Sequence, residues 1–149
     1  MSGNDINVYV DASCSNPSTG ISICGMFIPV ARHIHLCILD EYYPSTTAEF
    51  IGFNKFVDDI LYPQPATKYV VHTDCLRIMR EGHQRDDLIY TKESGHGKNT
   101  PIEFKVIDRA TRMLLRKLIK HPNVDADEHI SAVIAKSLRY WDSKQKLML

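Results

Sequence analysis

The stretch that decides the fold is residues 7–28, NVYVDASCSNPSTGISICGMFI. Alternating, β-branched residues over 6–11 predict a strand, and this strand ends on a carboxylate, Asp11. The small polar cluster SNPSTG then predicts a turn, and residues 20–30 predict a second strand. A charge that directly ends an apolar strand is costly unless it is paired or bound to a metal ion. We therefore expect Asp11 to have charged partners.

The next part of the chain extends this hairpin into an α/β pattern. Residues 32–39 predict a third strand, and the short links favour an antiparallel meander. Apolar residues then recur at helical spacing from Phe50 to Leu61, which predicts the first long helix. Residues 68–74 form a short apolar stretch that again ends on an acid, Asp74. This pattern indicates a fourth strand, followed by a short helix.

The last third of the chain is less regular. Residues 83–99 read as a polar loop, and the sequence TPIE at 100–103 predicts the start of a helix. The last strand is left open between residues 102–108 and a segment within 113–121, because both carry apolar residues. Asn123 is a candidate cap for a final helix. The whole order is typical of a mixed α/β domain.

Composition limits the class of protein. The 149 residues predict a single domain, 1–149, and the 44% hydrophobic and 24% charged content is ordinary for a globular protein. No apolar run approaches the ~20 residues of a membrane span. The start MSGNDIN lacks the features of a signal peptide, which favours a cytoplasmic location. Four scattered cysteines without a CxxC pair fit reduced thiols: Cys14, Cys24, Cys37 and Cys75.

Charge is distributed unevenly along the chain, although the net charge is zero. Residues 1–61 carry seven acids against Arg32 and Lys55, whereas residues 98–121 carry seven basic residues against two acids. A fold that joins these parts would set an acidic pocket beside a basic surface, as expected for metal-assisted chemistry on a polyanion. The alternative is a helix with a solvated cationic face.

Four acids occupy positions where α/β sheets build their sites. Asp11 and Asp74 end strands, Glu49 lies near the start of the first long helix, and Asp127 lies in the first turn of the last helix. Glu49 and Asp127 could instead complement a helix dipole. Clustered carboxylates suit Mg²⁺, which prefers oxygen ligands. Two such ions ~4 Å apart act on both sides of a phosphodiester.

Four segments resemble motifs of the ribonuclease H family, in the family's order. Residues 10–28 resemble its first hairpin, "DGS…NPG…GG.G", and STTAEFIGF resembles the helix that carries its second acid. VVHTDCLRIMREG resembles the stretch "TDS..V..G", and NVDAD at 123–127 matches "N-x-x-A-D" at the start of its last helix. Together the resemblance covers residues 7–82 and 118–141.

The resemblance implies a ribonuclease H-like fold, with a mixed five-stranded sheet in which an antiparallel meander precedes parallel strands and helices flank both. It also implies an endonuclease that uses two Mg²⁺ ions, for which Mn²⁺ can substitute, to cleave the RNA strand of an RNA–DNA hybrid. Asp11 would then bridge both ions. Glu49 and Asp74 would hold the ion at the leaving group, and Asp127 would hold the ion that activates water.

Substrate contacts follow from the same resemblance. Ser13 and Asn16 would contact the sugar-phosphate backbone, and Thr46 replaces an asparagine of the family with a hydroxyl that can still bind phosphate or sugar. The family's serine after the third acid is Cys75 here. The "GHxGH" loop is not present as such, so His121 is the nearest candidate for a proton shuttle.

Two other functions fit the same residues. A DNA nuclease or Holliday-junction resolvase of the same superfamily would keep the fold and the acids. A non-catalytic nucleic-acid-binding domain would keep the fold and is expected to lose at least one metal ligand. The acids Asp11, Glu49, Asp74 and Asp127 are all present, which favours an enzyme.

Overall fold

A computed structural model describes residues 5–15, 17–61, 67–93 and 100–148. Its five strands form one mixed sheet in the order β3-β2-β1-β4-β5, flanked by helices, as the sequence predicts for an α/β chain. The strands are β1 (Asp5–Cys14), β2 (Ser22–Ile28), β3 (His33–Leu39), β4 (Lys68–Thr73) and β5 (Leu88–Lys92). The helices are α1 (Ser45–Asp59), α2 (Leu76–Glu81), α3 (Ile102–Lys120) and α4 (Ala126–Met148).

The sheet combines an antiparallel meander with two parallel pairings. β2 lies antiparallel to β1 and to β3, with Asp11 opposite Gly25 in the first pair. β4 runs parallel to β1, and β5 runs parallel to β4. The parallel pairing of β1 and β4 ends at Tyr9 and His72, and β1 continues beyond it to Cys14.

The position of the last strand differs from both predicted segments. Residues 102–108 and 113–121 belong to α3 or to its C-terminal end, and β5 lies inside the stretch predicted as a polar loop, 83–99. The helix forms because its buried side chains recur at helical spacing and cover one face. These are Phe104, Val106, Ile107, Ala110, Thr111 and Leu114. In β5 only Leu88 is buried, so the strand carries almost no apolar alternation.

Helices cover the two faces of the sheet with separate cores. On one face, α1 and α2 pack against alternate residues of the central strands, including Val8, Val10 and Met26. On the other face, α3 and α4 pack against the remaining set, including Tyr9 and Phe27. β2 is buried along its whole length, because helices press on both of its sides.

Two glycines allow this close packing at β2. A Cβ on Gly25 would lie 2.7 Å from Cδ1 of Ile107 and 2.8 Å from Cγ2 of Thr111, so α3 passes directly over this residue. A Cβ on Gly52 in α1 would overlap the Cβ and Sγ of Cys24 on the opposite face. Both helices therefore sit closer to the sheet than a side chain at these positions would permit.

The ends of the two long C-terminal helices differ in detail from the predicted caps. Pro101 precedes the first residue of α3. The hydroxyl of Thr100 is buried and makes no hydrogen bond to any described residue, so it does not cap the helix. α4 begins after Asp125, whose Oδ1 accepts a hydrogen bond from the backbone N–H of Asp127 at 2.9 Å. The side chain of Asp125 thus performs the capping role predicted for Asn123.

All four cysteine thiols are free. Across the described ranges, no helix has both the length and the apolar character that crossing a bilayer requires.

The contact between Gly52 and Cys24 predicts the stability of two variants. Gly52→Ala should lower the free energy of unfolding by about 1–3 kcal/mol, because its methyl group overlaps Cys24. Adding Cys24→Gly removes the opposing Cβ, so the double variant should lose less stability than the two single variants combined. Urea denaturation of all four proteins measures this coupling. Additive losses would show that the two residues do not determine the spacing.

Candidate metal centre

Three carboxylates meet just past the point where the parallel pairing of β1 and β4 ends. The first strand does not end on Asp11 as predicted, because β1 continues to Cys14 in its antiparallel pairing with β2. One oxygen from each of Asp11, Glu49 and Asp74 lies within 4.8 Å of the other two. Asp11 belongs to β1, Asp74 follows β4 directly, and Glu49 lies in the first half of α1. Three of the four acids predicted from the sequence therefore come together.

The pairing of β1 directs Asp11 toward the face covered by α3. Tyr9 and Ser13 lie on the same face of β1 as Asp11, and both contact α3. The rings of Tyr9 and Phe104 make an edge-to-face contact, with their centroids 5.4 Å apart. The hydroxyl groups of Ser13 and Thr111 form a hydrogen bond of 2.9 Å. Oδ1 of Asp11 also accepts a hydrogen bond from the backbone N–H of the next residue at 2.9 Å.

Glu49 is the most deeply buried of the three acids. Its side chain is 5% exposed, and its Oε2 atom makes no hydrogen bond to any residue that the structure describes. Glu49 lies one helical turn before Gly52, so the close contact of α1 with β2 also brings this carboxylate to the sheet. A buried carboxylate oxygen without a partner is costly, which indicates a missing cationic or donor partner.

The turn after β4 is joined to the start of α1. The backbone N–H of Cys75 donates to the hydroxyl of Thr73 at 3.0 Å, and the thiol of Cys75 donates to the backbone carbonyl of Thr46 at 3.6 Å. Cys75 thus links the segment that carries Asp74 to the helix that carries Glu49. This contact gives a structural role to the residue that replaces the serine of the ribonuclease H motif.

Crowding and burial alter the acid–base behaviour of the cluster. Burial, with the charges of Asp108 and Asp74, raises the pKa of Asp11 to about 7, even though the backbone hydrogen bond acts in the opposite direction. Burial, with the charges of Asp74 and Asp11, raises the pKa of Glu49 to about 10. At neutral pH the group must therefore retain protons or bind a cation.

A fourth carboxylate approaches the cluster from α3. Asp108 lies close enough to Asp11 for its charge to raise the pKa of that residue. The guanidinium of Arg112, one turn further along the helix, holds Asp108 through Nε at 3.2 Å and Nη2 at 2.7 Å. Asp108 reaches this position because its neighbour Ile107 packs against Gly25, directly opposite Asp11.

Asp127, the fourth acid predicted from the sequence, is not part of this group. It is exposed in the first turn of α4, a helix that packs on α3 and β3 rather than on β1 or β4. Sequence reasoning missed Asp108 because residues 102–108 were considered as a strand. The sequence does contain a signal for a helix here: Asp108 and Arg112 are four residues apart, which is the spacing of an ion pair on a helix.

The other predicted site residues lie in different surroundings. The hydroxyl of Ser13 is engaged with Thr111, and Thr46 is exposed in the first turn of α1. His121 is exposed at the end of α3, and its backbone carbonyl is 3.0 Å from Nε2 of His129. Asn16 lies outside the described residues. The roles of these four residues in catalysis and substrate binding stay predictions.

Comparison with known proteins does not assign the chain to a family. No protein-family model matches it, and no curated protein matches it in sequence. The interpretation of the acidic group therefore rests on its own geometry and on the motifs in the sequence.

The raised pKa of Glu49 predicts how stability depends on pH without metal. The folded pKa of about 10 exceeds the ordinary 4.5, so the folded state binds more protons than the unfolded state between these values. Stability should therefore fall as pH rises from 4 to 8 in EDTA. Glu49→Gln should reduce this fall and melt a few degrees above the native protein at pH 8.

The exposed Glu81 provides the control, because its side chain faces solvent and its one ion pair, to Arg77 at 3.5 Å, lies on the surface of α2. Glu81→Gln should leave the pH profile of the melting temperature unchanged. Parallel profiles for the native protein and Glu49→Gln would contradict the assignment of Glu49 as a strained buried acid.

Proposed function

We propose that the protein is a metal-dependent nuclease of the ribonuclease H type, which hydrolyses the RNA strand of RNA–DNA hybrids. The observation that carries this proposal is the convergence of Asp11, Glu49 and Asp74 within 4.8 Å, just past the point where the parallel pairing of β1 and β4 ends. The mixed five-stranded sheet and its helices are compatible with such a fold. Three of the four ribonuclease H-like motifs carry the acids that come together, and this resemblance supports the hybrid as the substrate.

The donor set fits Mg²⁺ or Mn²⁺. All three ligands are carboxylates, and Mg²⁺ and Mn²⁺ prefer such oxygens, whereas zinc sites usually include cysteine or histidine. The unpartnered Oε2 of Glu49 is an oxygen that a cation would satisfy. A pair of such ions, when bound, would polarise the phosphate, activate water and stabilise the leaving oxygen.

In this proposal Asp11, Glu49 and Asp74 would hold the first ion. Asp108, on the other side of Asp11, replaces Asp127 as the candidate fourth ligand. The ion pair with Arg112 fixes the orientation of the Asp108 carboxylate, so Arg112 acts as a positioning residue.

A cation beside the acids supports a phosphodiester substrate. The guanidinium of Arg77 lies 4.2 Å above the ring of Phe50, and its Nη1 donates to the hydroxyl of Thr47 at 3.4 Å. Phe50 follows Glu49, and Arg77 lies three residues after Asp74, so this positive charge belongs to the same edge of the sheet. An arginine held in place by a ring is suited to bind phosphate oxygens.

The activity is tested with labelled RNA–DNA hybrid, double-stranded RNA, duplex DNA and a four-way DNA junction. We expect cleavage of the RNA strand of the hybrid with Mg²⁺ or Mn²⁺, and none in EDTA. Asp11→Asn should lower the rate more than about 100-fold while the protein still melts cooperatively. Cleavage of the junction with an intact hybrid would support a resolvase instead, and binding without any cleavage would support a non-catalytic domain.

The fourth ligand is tested with two matched substitutions. Asp108→Asn should lower the cleavage rate by about 100-fold or more, because Asp108 lies beside Asp11, whereas Asp127→Asn should retain most of the activity. Both changes remove one charge from a helix and keep the shape of the side chain. The opposite ranking would restore Asp127 as the ligand and exclude Asp108.

A further inference from the structure

The outward side of α3 carries a stripe of positive charge. Its members recur every three or four residues, which places them along one side of a helix. All of them are exposed, while the opposite side of α3 is buried in the core. They are Lys105, Arg109, Arg112, Arg116 and Lys120. Over the described ranges, only Arg112 among these five makes an ion pair, and its partner is Asp108.

The stripe borders a groove between α3 and α4. The groove has a volume of about 270 Å³, and its polar lining includes Arg109, Lys136, Ser137, Arg139 and Tyr140. No carboxylate from the described part of the chain lines it. The guanidinium of Arg109 lies 4.2 Å above the ring of Tyr140, which holds this charge at the mouth of the groove.

A buried hydroxyl in the groove is also without a partner. The side chain of Ser137 is 3% exposed, and its Oγ atom makes no hydrogen bond to any described residue. Hydroxyls in this position normally find a partner, so Ser137 indicates that a ligand atom belongs in the groove. With three cations around it, the ligand that fits this hydroxyl is an anion with acceptor oxygens, such as a phosphate.

We propose that this groove and the stripe, together the basic track, bind the sugar-phosphate backbone of the nucleic acid away from the cleaved bond. The proposal rests on the proposed function for the identity of the polyanion. The middle of the track lies beside the acids, because Arg112 pairs with Asp108 and Asp108 adjoins Asp11. From Lys105 to Lys120 it spans roughly 22 Å, the length of about six nucleotide steps.

The surroundings of α3 favour a nucleic acid over a membrane. A helix that binds a bilayer inserts its apolar face, but the apolar face of α3 is already covered by the sheet and by α4. The cations that remain are regularly spaced along a straight helix, which suits a polymer with regularly spaced charges. An acidic protein is the competing occupant, and the experiment below separates the two.

Binding is measured by fluorescence anisotropy with a labelled RNA–DNA hybrid in EDTA, where no cleavage is expected. The test variant is Arg109→Ala with Lys136→Ala and Arg139→Ala. The control removes three exposed cations from other elements, Lys55→Ala, Lys68→Ala and Arg80→Ala. We expect the test variant to bind at least about tenfold more weakly, with a log–log salt slope smaller by about 2–3, because three phosphate contacts are lost. The control should keep the native slope.

Ser137→Ala keeps every charge and removes only the hydroxyl. It should weaken binding without changing the salt slope, and its melting temperature reports any loss of folding.

Equal salt slopes for the native protein and the triple variant would overturn the proposal, as would displacement of the hybrid by polyglutamate at equal charge concentration. Cleavage assays separate this proposal from the first. If the triple variant has the smaller salt slope but the native protein cleaves nothing, the nuclease is refuted and the track stands. If the native protein cleaves the hybrid but the triple variant keeps the native salt slope, the track is refuted.

Discussion

The close contact of two helices with opposite faces of β2 is the constraint on which the candidate site depends. Gly25 lets α3 approach one face, and Gly52 lets α1 approach the other. These contacts determine how near Asp108 and Glu49 come to Asp11. Asp108 follows Ile107, which packs on Gly25, and Glu49 lies one helical turn before Gly52. A larger side chain at either glycine would move a helix and widen the separation of the carboxylates.

The packing energy of the two cores opposes the repulsion among the acids. Burial raises the pKa of Asp11 to about 7 and that of Glu49 to about 10, so the metal-free fold retains protons that a solvated carboxylate would release. A divalent cation would remove this strain and satisfy Oε2 of Glu49. In the proposed function, the same crowding that costs stability would create the cation site, as is common where function requires buried charge.

The sequence predicted the parts of the site that lie on strongly patterned elements. The first hairpin, α1 and β4 have clear periodicity, and Asp11 and Asp74 indicated the edge of the sheet where the three carboxylates meet, although β1 continues past Asp11 to Cys14. β5 was missed because only Leu88 is buried in it. The alternation in IEFKVI then suggested a strand inside α3, which hid Asp108, and the motif-like NVDAD directed attention to Asp127. Only the packing of α3 on Gly25 shows which acid faces Asp11.

We propose that these carboxylates come together to hold divalent cations. Anomalous diffraction from crystals soaked in Mn²⁺ tests it directly, because the peaks locate the ion independently of activity. The account predicts a peak coordinated by Asp11, Glu49 and Asp74, with any second peak between Asp11 and Asp108. Mn²⁺ peaks only elsewhere on the surface at neutral pH, with none at the three carboxylates, would contradict it.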